Sequence, residues 1–176
     1  MGKLTSNPER PQSKLSAPVP LTEKHDVADF DCGEPDLDDW LKHRALKNES
    51  RFSRTYVVCD ENRVVAYFCI AAASVERAAA PGKVRRNAPD MIPVSVIGRL
   101  AVSLAYAGRG LGSDMLSDAL RRIAVASQSI GIGAVLVQAK DERAKRFYLA
   151  CAEFIEYPAD SRTLFLPIET VIAAFG

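Results

Sequence analysis

The stretch Tyr106–Met115, YAGRGLGSDM, decides how the rest of the chain is read. Glycines stand at alternate positions: Gly108, Gly110 and Gly112. After them Leu116, Leu120, Ile123 and Ser127 recur at intervals of three or four, with Met115, Ala119 and Ala126 beside them. That spacing predicts a long amphipathic helix over 111–131, with Gly131 as its C′ cap. Before the glycines, IPVSVIGRLAVS (92–103) is an almost unbroken apolar run. Such a run marks a strand covered on both faces, hence a central one. Gly98 interrupts it, which predicts a bulge or a close backbone approach. Glycine costs roughly 0.5–1 kcal/mol relative to alanine inside a helix, so three of them at a helix start call for a compensating use.

A strand, a glycine turn and a helix make a cradle for an anion. A helix N-terminus presents unpaired N–H groups and the positive end of the dipole. Yet GRGLGS (108–113) lacks the GxGxxG of dinucleotide sites and the GK[ST] of a P-loop. On its own it reads equally well as a tight strand-to-helix turn.

The flanking segments supply the context. Pro35 opens a helical pattern, EPDLDDWLKHRALKNES, whose core side is Leu37, Trp40, Leu41 and Ala45. RTYVVCD and RVVAYFCIAAASVE, joined at Asp60, Glu61 and Asn62, predict a β-hairpin. APGKVRRNAPD reads as a loop by its prolines and glycine. GAVLVQA is a short buried strand, and DERAKRFYLAC a helix with Asp141 as N-cap. FIEY and RTLFLPI form a closing antiparallel pair, followed by a short helix, ETVIAAF. The fold class is therefore a mixed, layered α/β (α+β) domain with about six to seven strands and about four helices.

The chain has 176 residues, 48% hydrophobic and 26% charged, with a net charge of +1. Residues 1–17 are polar and proline-bearing and read as a disordered tail, leaving 18–176 as one domain. MGKLTS matches a myristoylation pattern, although six-residue patterns recur by chance. No apolar run is long enough to span a membrane. Cys32, Cys59, Cys69 and Cys151 show no CxxC spacing, so we expect reduced thiols and no metal. Charge is uneven along the chain. Residues 29–39 carry six acidic groups and no basic one, whereas 41–59 and 77–99 each carry five basic groups against one acidic.

GRLAV, the run AGRGLGS, the later FY (Phe147, Tyr148) and the blocks GEPDLDDWLKHRALKN, SRTYVVCD, APGKVRRNAPDMIPV, AKDERAKRFY and RTLFLPI together resemble one branch of the GNAT acetyltransferases. These are the acetyltransferase toxins of bacterial toxin–antitoxin systems, and the likeness spans roughly residues 18–168. It implies a GNAT fold and acetyl-CoA as cosubstrate. It also implies acetylation of the α-amino group of the amino acid on charged tRNA, which stops translation. The partners it implies are aminoacyl-tRNA, a ribbon-helix-helix antitoxin and a second copy in a homodimer, all in the bacterial cytoplasm. Two readings stay open beside it: a GNAT enzyme for a small amine or a protein N-terminus, and a degenerate GNAT module that only binds.

The resemblance also assigns roles. Leu100, Ala101 and Val102 would hold the pantetheine arm and polarise the thioester carbonyl. Gly108, Arg109, Gly110, Leu111, Gly112 and Ser113 would hold the pyrophosphate. Tyr148 would protonate the leaving thiolate. Lys140 and Lys145 would reach the CoA phosphates, with the tRNA as their other possible target. Lys42, Arg44, Lys47, Arg85 and Arg86 would contact tRNA phosphates. Arg99, inside a strand, would pair with an internal carboxylate. Three departures stand out: Ala107, where Gln or Arg is usual; FYLACAEF, one residue longer than the family pattern; and ESRF (49–52), where relatives carry glycine. An α-amine titrates near ~8 and a lysine near ~10.4, so an aminoacyl amine needs no dedicated base, and none stands out.

Overall fold

The computed structural model describes residues 15–176. MGKLTS, and the expected tail up to residue 14, lie outside the described residues. Leu15 bridges Asp60, and Ser16 donates its N–H to the Cys59 carbonyl at 2.9 Å while its Oγ accepts the Cys59 N–H at 3.0 Å. The chain at 15–16 is thus already fastened to a sheet edge.

Seven strands form one sheet: β1 (Val19–Pro20), β2 (Arg54–Asp60), β3 (Arg63–Glu76), β4 (Met91–Val102), β5 (Ala134–Gln138), β6 (Ile155–Tyr157) and β7 (Asp160–Pro167). Their order is β1-β2-β3-β4-β5-β7-β6. Only β4 and β5 are parallel, and a parallel neighbour requires a crossover. Helix α4 (Leu111–Ala126) supplies it. The other helices are α1 (Pro35–His43), α2 (Ala45–Glu49), α3 (Gly82–Arg85), α5 (Glu142–Cys151) and α6 (Ile168–Phe175).

The apolar runs become strands buried on both faces, because successive side chains point to opposite sides. Val58, Phe68, Val135, Val137, Leu164 and Leu166 meet α4, α5 and α6 on one face. Val57, Tyr67 and Ala101 meet Trp40, Leu41 and Ala45 of α1 and α2 on the other. Ala134, Leu136 and Phe165 continue that second side against Val84 of α3. Cys59 and Cys69 are small core residues, 3% and 2% exposed.

Four details differ from the sequence expectation. The first helix divides at Arg44 (φ −124°, ψ −29°), beyond which α2 brings Ala45 into full burial. The 81–86 stretch of the expected loop winds into one helical turn, α3. The seventh strand of the expected six to seven, β1, forms at Val19–Pro20, a stretch the sequence pattern did not mark. Gly131 is not the C′ cap of α4: helix bonding ends at Ala126, and the turns 127–130 absorb the last carbonyls. Asp141 caps α5 as expected, accepting the Ala144 N–H at 2.8 Å, which holds its carboxyl below the ordinary range.

Leu120 is fully buried between α4 and the sheet. Leu120→Ala should lower unfolding free energy by about 2–5 kcal/mol, read as a drop in denaturation midpoint at unchanged denaturant slope.

Candidate active site

The site begins where two strands part. β4 and β5 pair only at Val94–Val96 with Ala134–Leu136. β4 continues to Val102 against β3, and β5 continues to Gln138 against β7. From Ile97 to Val102, therefore, the β4 edge that faced β5 has no strand partner. Gly98 sits at the divergence, where the β3–β4 register steps from Cys69↔Arg99 to Ile70↔Ile97. The expected irregularity is a bulge, and an added Cβ would lie 3.3 Å from Cys69 Sγ. Bulges bend a strand and increase its twist, which opens the gap. Ala101 is buried toward α1, while Leu100 and Val102 are half-buried toward α4.

The glycine run lies just past this open edge. Gly108 (φ +76°) and Gly110 (φ +80°) both occupy the left-handed region, and each faces open space where a Cβ would be. Gly110 is the N-cap of α4, which has no capping side chain. The first bond into the helix runs from Asp114 N–H to the Gly110 carbonyl (3.1 Å). The amides of Leu111, Gly112 and Ser113 therefore open the helix. Gly112 has a different reason: its Cβ would touch Phe147 at 3.5 Å and Val102 at 3.8 Å. Its bareness seats α4 against α5 and the end of β4. Ala107 is exposed, and its N–H reaches the Leu104 carbonyl at 3.3 Å.

Tyr148 is 8% exposed on α5, edge-on to Phe147 and Phe154. Burial, then the Cys69 and Cys151 thiols, push its phenol up to about 12. Cys69 is also the neighbour of Gly98. The helix that follows β4 thus opens with an uncapped N-terminus, and the helix that follows β5 carries a buried, protonated hydroxyl.

The charged candidates divide. Lys140 pairs with Glu34 at 2.6 Å, tying the β5–α5 loop to the start of α1. Lys145, its side chain 12% exposed, pairs with Glu156 at 3.1 Å. Each of the two cations thus has a carboxylate partner. Arg109 lies over the Tyr106 ring (5.1 Å) and donates to the Ala105 carbonyl at 3.2 Å. Among the described residues Arg99 meets no carboxylate; it stacks on Trp40 at 4.3 Å, with its charge acting on Cys69 and Tyr67. Arg44, Lys47, Arg85 and Arg86 are exposed and Lys42 is half-exposed. Sequence reasoning missed Tyr106, whose hydroxyl donates to Asp60 in the β2–β3 turn and so braces the chain entering the glycines. A tyrosine two residues before Gly108 was its only signal.

These features generate two checks. Gly110→Ala should weaken acetyl-CoA binding at least about tenfold by titration calorimetry, since a Cβ there is strained by roughly 1–2 kcal/mol and intrudes on the open approach. Gly131→Ala, open and at ordinary φ, should leave that affinity unchanged. In a pH titration of phenolate absorbance, a Tyr148→Phe difference should place the Tyr148 step near pH 12.

Comparison with known proteins agrees with this geometry. The model of the Acetyltransferase (GNAT) family matches residues 20–154. A tRNA-acetylating toxin of Mycobacterium tuberculosis is 44% identical over 165 residues, covering 93% of this chain and 99% of that one. The structure of AtaT complexed with acetyl-methionyl-tRNAfMet superposes with a TM-score of 0.83 at 29% identity, covering 92% of this chain and 99% of the other. A Tyr→Phe mutant of the AtaT toxin, bound to the C-terminus of the antitoxin AtaR and acetyl-CoA, gives a TM-score of 0.78 at 27% identity over 92% and 98% of the two chains. The parted strands, the uncapped glycine-bearing helix and the matched sequence make one case: the chain belongs to the GNAT acetyltransferase family.

Proposed function

We propose that this protein is a toxin that transfers acetyl from acetyl-CoA to the α-amino group of an aminoacyl-tRNA and so blocks translation. The observation that carries the reading is the join of β4, α4 and α5 around one gap, in a chain 44% identical to a tRNA-acetylating toxin. Acetyl-CoA supplies the activated acetyl thioester. The residues present fit it: two left-handed glycines leave the approach to the helix amides clear, and the free β4 edge offers peptide groups along its length.

Each residue has a task in this reading. The amides at 111–113 and the backbone of Gly108–Gly110 bind the pyrophosphate, with Arg109 beside them. The backbone of Leu100–Val102 orients the pantetheine amides and polarises the acetyl carbonyl. Tyr148 donates its proton to the departing sulfur. Burial holds its pKa up, so the phenol carries its proton throughout the neutral range. Asp141 is committed to capping α5 and Glu142 lies 3.8 Å from Arg162. The attacking amine is accordingly neutral on its own account. Lys42, Arg44, Lys47, Arg85 and Arg86 attract the tRNA backbone. The family likeness adds a ribbon-helix-helix antitoxin, a homodimeric state and a cytoplasmic site of action to the proposal.

Tyr148→Phe should lower acetyl transfer about 10²–10⁴-fold while leaving acetyl-CoA binding in place. Equal growth arrest by variant and wild type would remove Tyr148 from the mechanism. With increasing pH, kcat/KM for charged tRNA should rise until the aminoacyl amine is neutral, below ~8. It should then stay level through pH 9. Tyr148 imposes no falling arm there because its pKa is raised, so protonation is lost only toward pH 12. Arg85→Ala with Arg86→Ala should weaken tRNA binding and reduce the slope of log K against log salt by about 2, measured by filter binding over a salt series.

A further inference from the structure

The face carrying α1 and α2 holds an aromatic that neither the fold nor the chemistry above uses. Phe52 lies in the turn between α2 and β2 and is 64% exposed. It is not a loose side chain on a floppy loop. The N–H groups of Arg51, Phe52 and Ser53 all converge on the Asn48 carbonyl, at 3.2, 2.9 and 3.2 Å. The Arg54 guanidinium bonds the Glu49 and Ser53 carbonyls. Arg51 covers one side of the ring, its Cζ 5.1 Å from the centroid.

Its surroundings select the kind of ligand. Arg44, Lys47, Arg51 and Arg54, its neighbours in sequence, are exposed. The one carboxylate of residues 41–59, Glu49, turns inward and accepts the Thr55 N–H at 2.8 Å. The segment thus keeps an excess of positive charge and presents an aromatic ring on a turn braced through its backbone. An apolar protein surface would gain nothing from that charge, and a duplex has no free base face for the ring. A single strand offers both phosphates and an unpaired base.

The turn is also in the right place. Arg54 opposes Ile70, and Ile70 opposes Ile97, the first β4 residue past the pairing with β5. The Phe52 turn therefore ends the sheet level with the point where β4 and β5 part, two strands away from β4. Trp40 and Arg99 link α1 to β4.

We infer that Phe52, backed by Arg51, is a stacking platform for an unpaired base of the single-stranded acceptor end of tRNA, steering the aminoacyl group toward the gap. The inference rests on the tRNA reading above and adds the residue that grips the strand. In the full-length protein, Phe52→Ala should raise KM for charged tRNA by about 5- to 100-fold, the range of one lost base stack. KM for acetyl-CoA, the thermal midpoint and the slope of tRNA binding against salt should stay as in the wild type. The slope is the discriminating readout, because no charge is removed. Phe52→Trp should restore KM, and its fluorescence should be quenched by deacylated tRNA, with wild-type Trp40 as background. Unchanged KM for charged tRNA in Phe52→Ala overturns the inference. So does a KM effect that Phe52→Trp fails to rescue, or one accompanied by dissociation of a homodimer in sedimentation, which would make Phe52 a self-association contact. A wild-type protein that leaves charged tRNA unacetylated overturns the tRNA reading itself, and the inference with it.

Discussion

Everything at the site depends on a parallel pairing that lasts three residues. β4 and β5 hold together only at Val94–Val96 against Ala134–Leu136. Each strand then continues against its other neighbour, so parting them leaves no strand without support. The energetic difficulty is the row of β4 peptide groups from Ile97 onward that loses its partner. Buried peptide groups without partners are costly, so such an edge is tenable only where solvent or a ligand can satisfy it. A substrate arm built of amides satisfies it well. The Gly98 bulge is the local device that turns the strand away, and the contact with Cys69 sets how closely it can lie on β3.

The glycines past that edge are three solutions to two problems. Gly108 and Gly110 solve a backbone problem, since an L side chain rarely adopts their φ, and the space beside them is open. Gly112 solves a packing problem, because Phe147 and Val102 occupy the place of its side chain. Their entropic cost is offset by what the helix gains in exposing its first amides at an open approach. Ala107 fits the same view: its main chain closes the preceding turn through Leu104, and the cradle needs no side chain from it.

Features carried by local pattern were legible in the sequence. Unbroken apolar runs announced strands covered on both faces. Asp141 announced the start of α5, and Gly98 announced the bulge. Features set by partners far away in sequence were not. Lys140 and Glu34 are separated by most of the domain, and nothing near either names the other. The same holds for Arg99, which finds the face of Trp40 instead of a carboxylate. Gly131 misled for a related reason: several small turns ended α4 earlier, so no left-handed residue was required. Phe52 was visible as an aromatic among basic residues, but only the fold shows that the helices leave it uncovered.

Charge and burial divide the labour of the molecule. In the interior, Tyr148 is neutral and Lys145 paired, while Arg99 keeps its charge against the Trp40 ring. Tyr148 is held protonated by burial, and Lys145 is matched by Glu156. At the surface the opposite holds: Arg44, Lys47, Arg85 and Arg86 stay exposed, and Glu49 is turned inward where it could have cancelled them. Long-range attraction of a polyanion then comes from groups that never touch the reacting atoms. The two sets of residues lie apart in the sequence, so one can be substituted without touching the other.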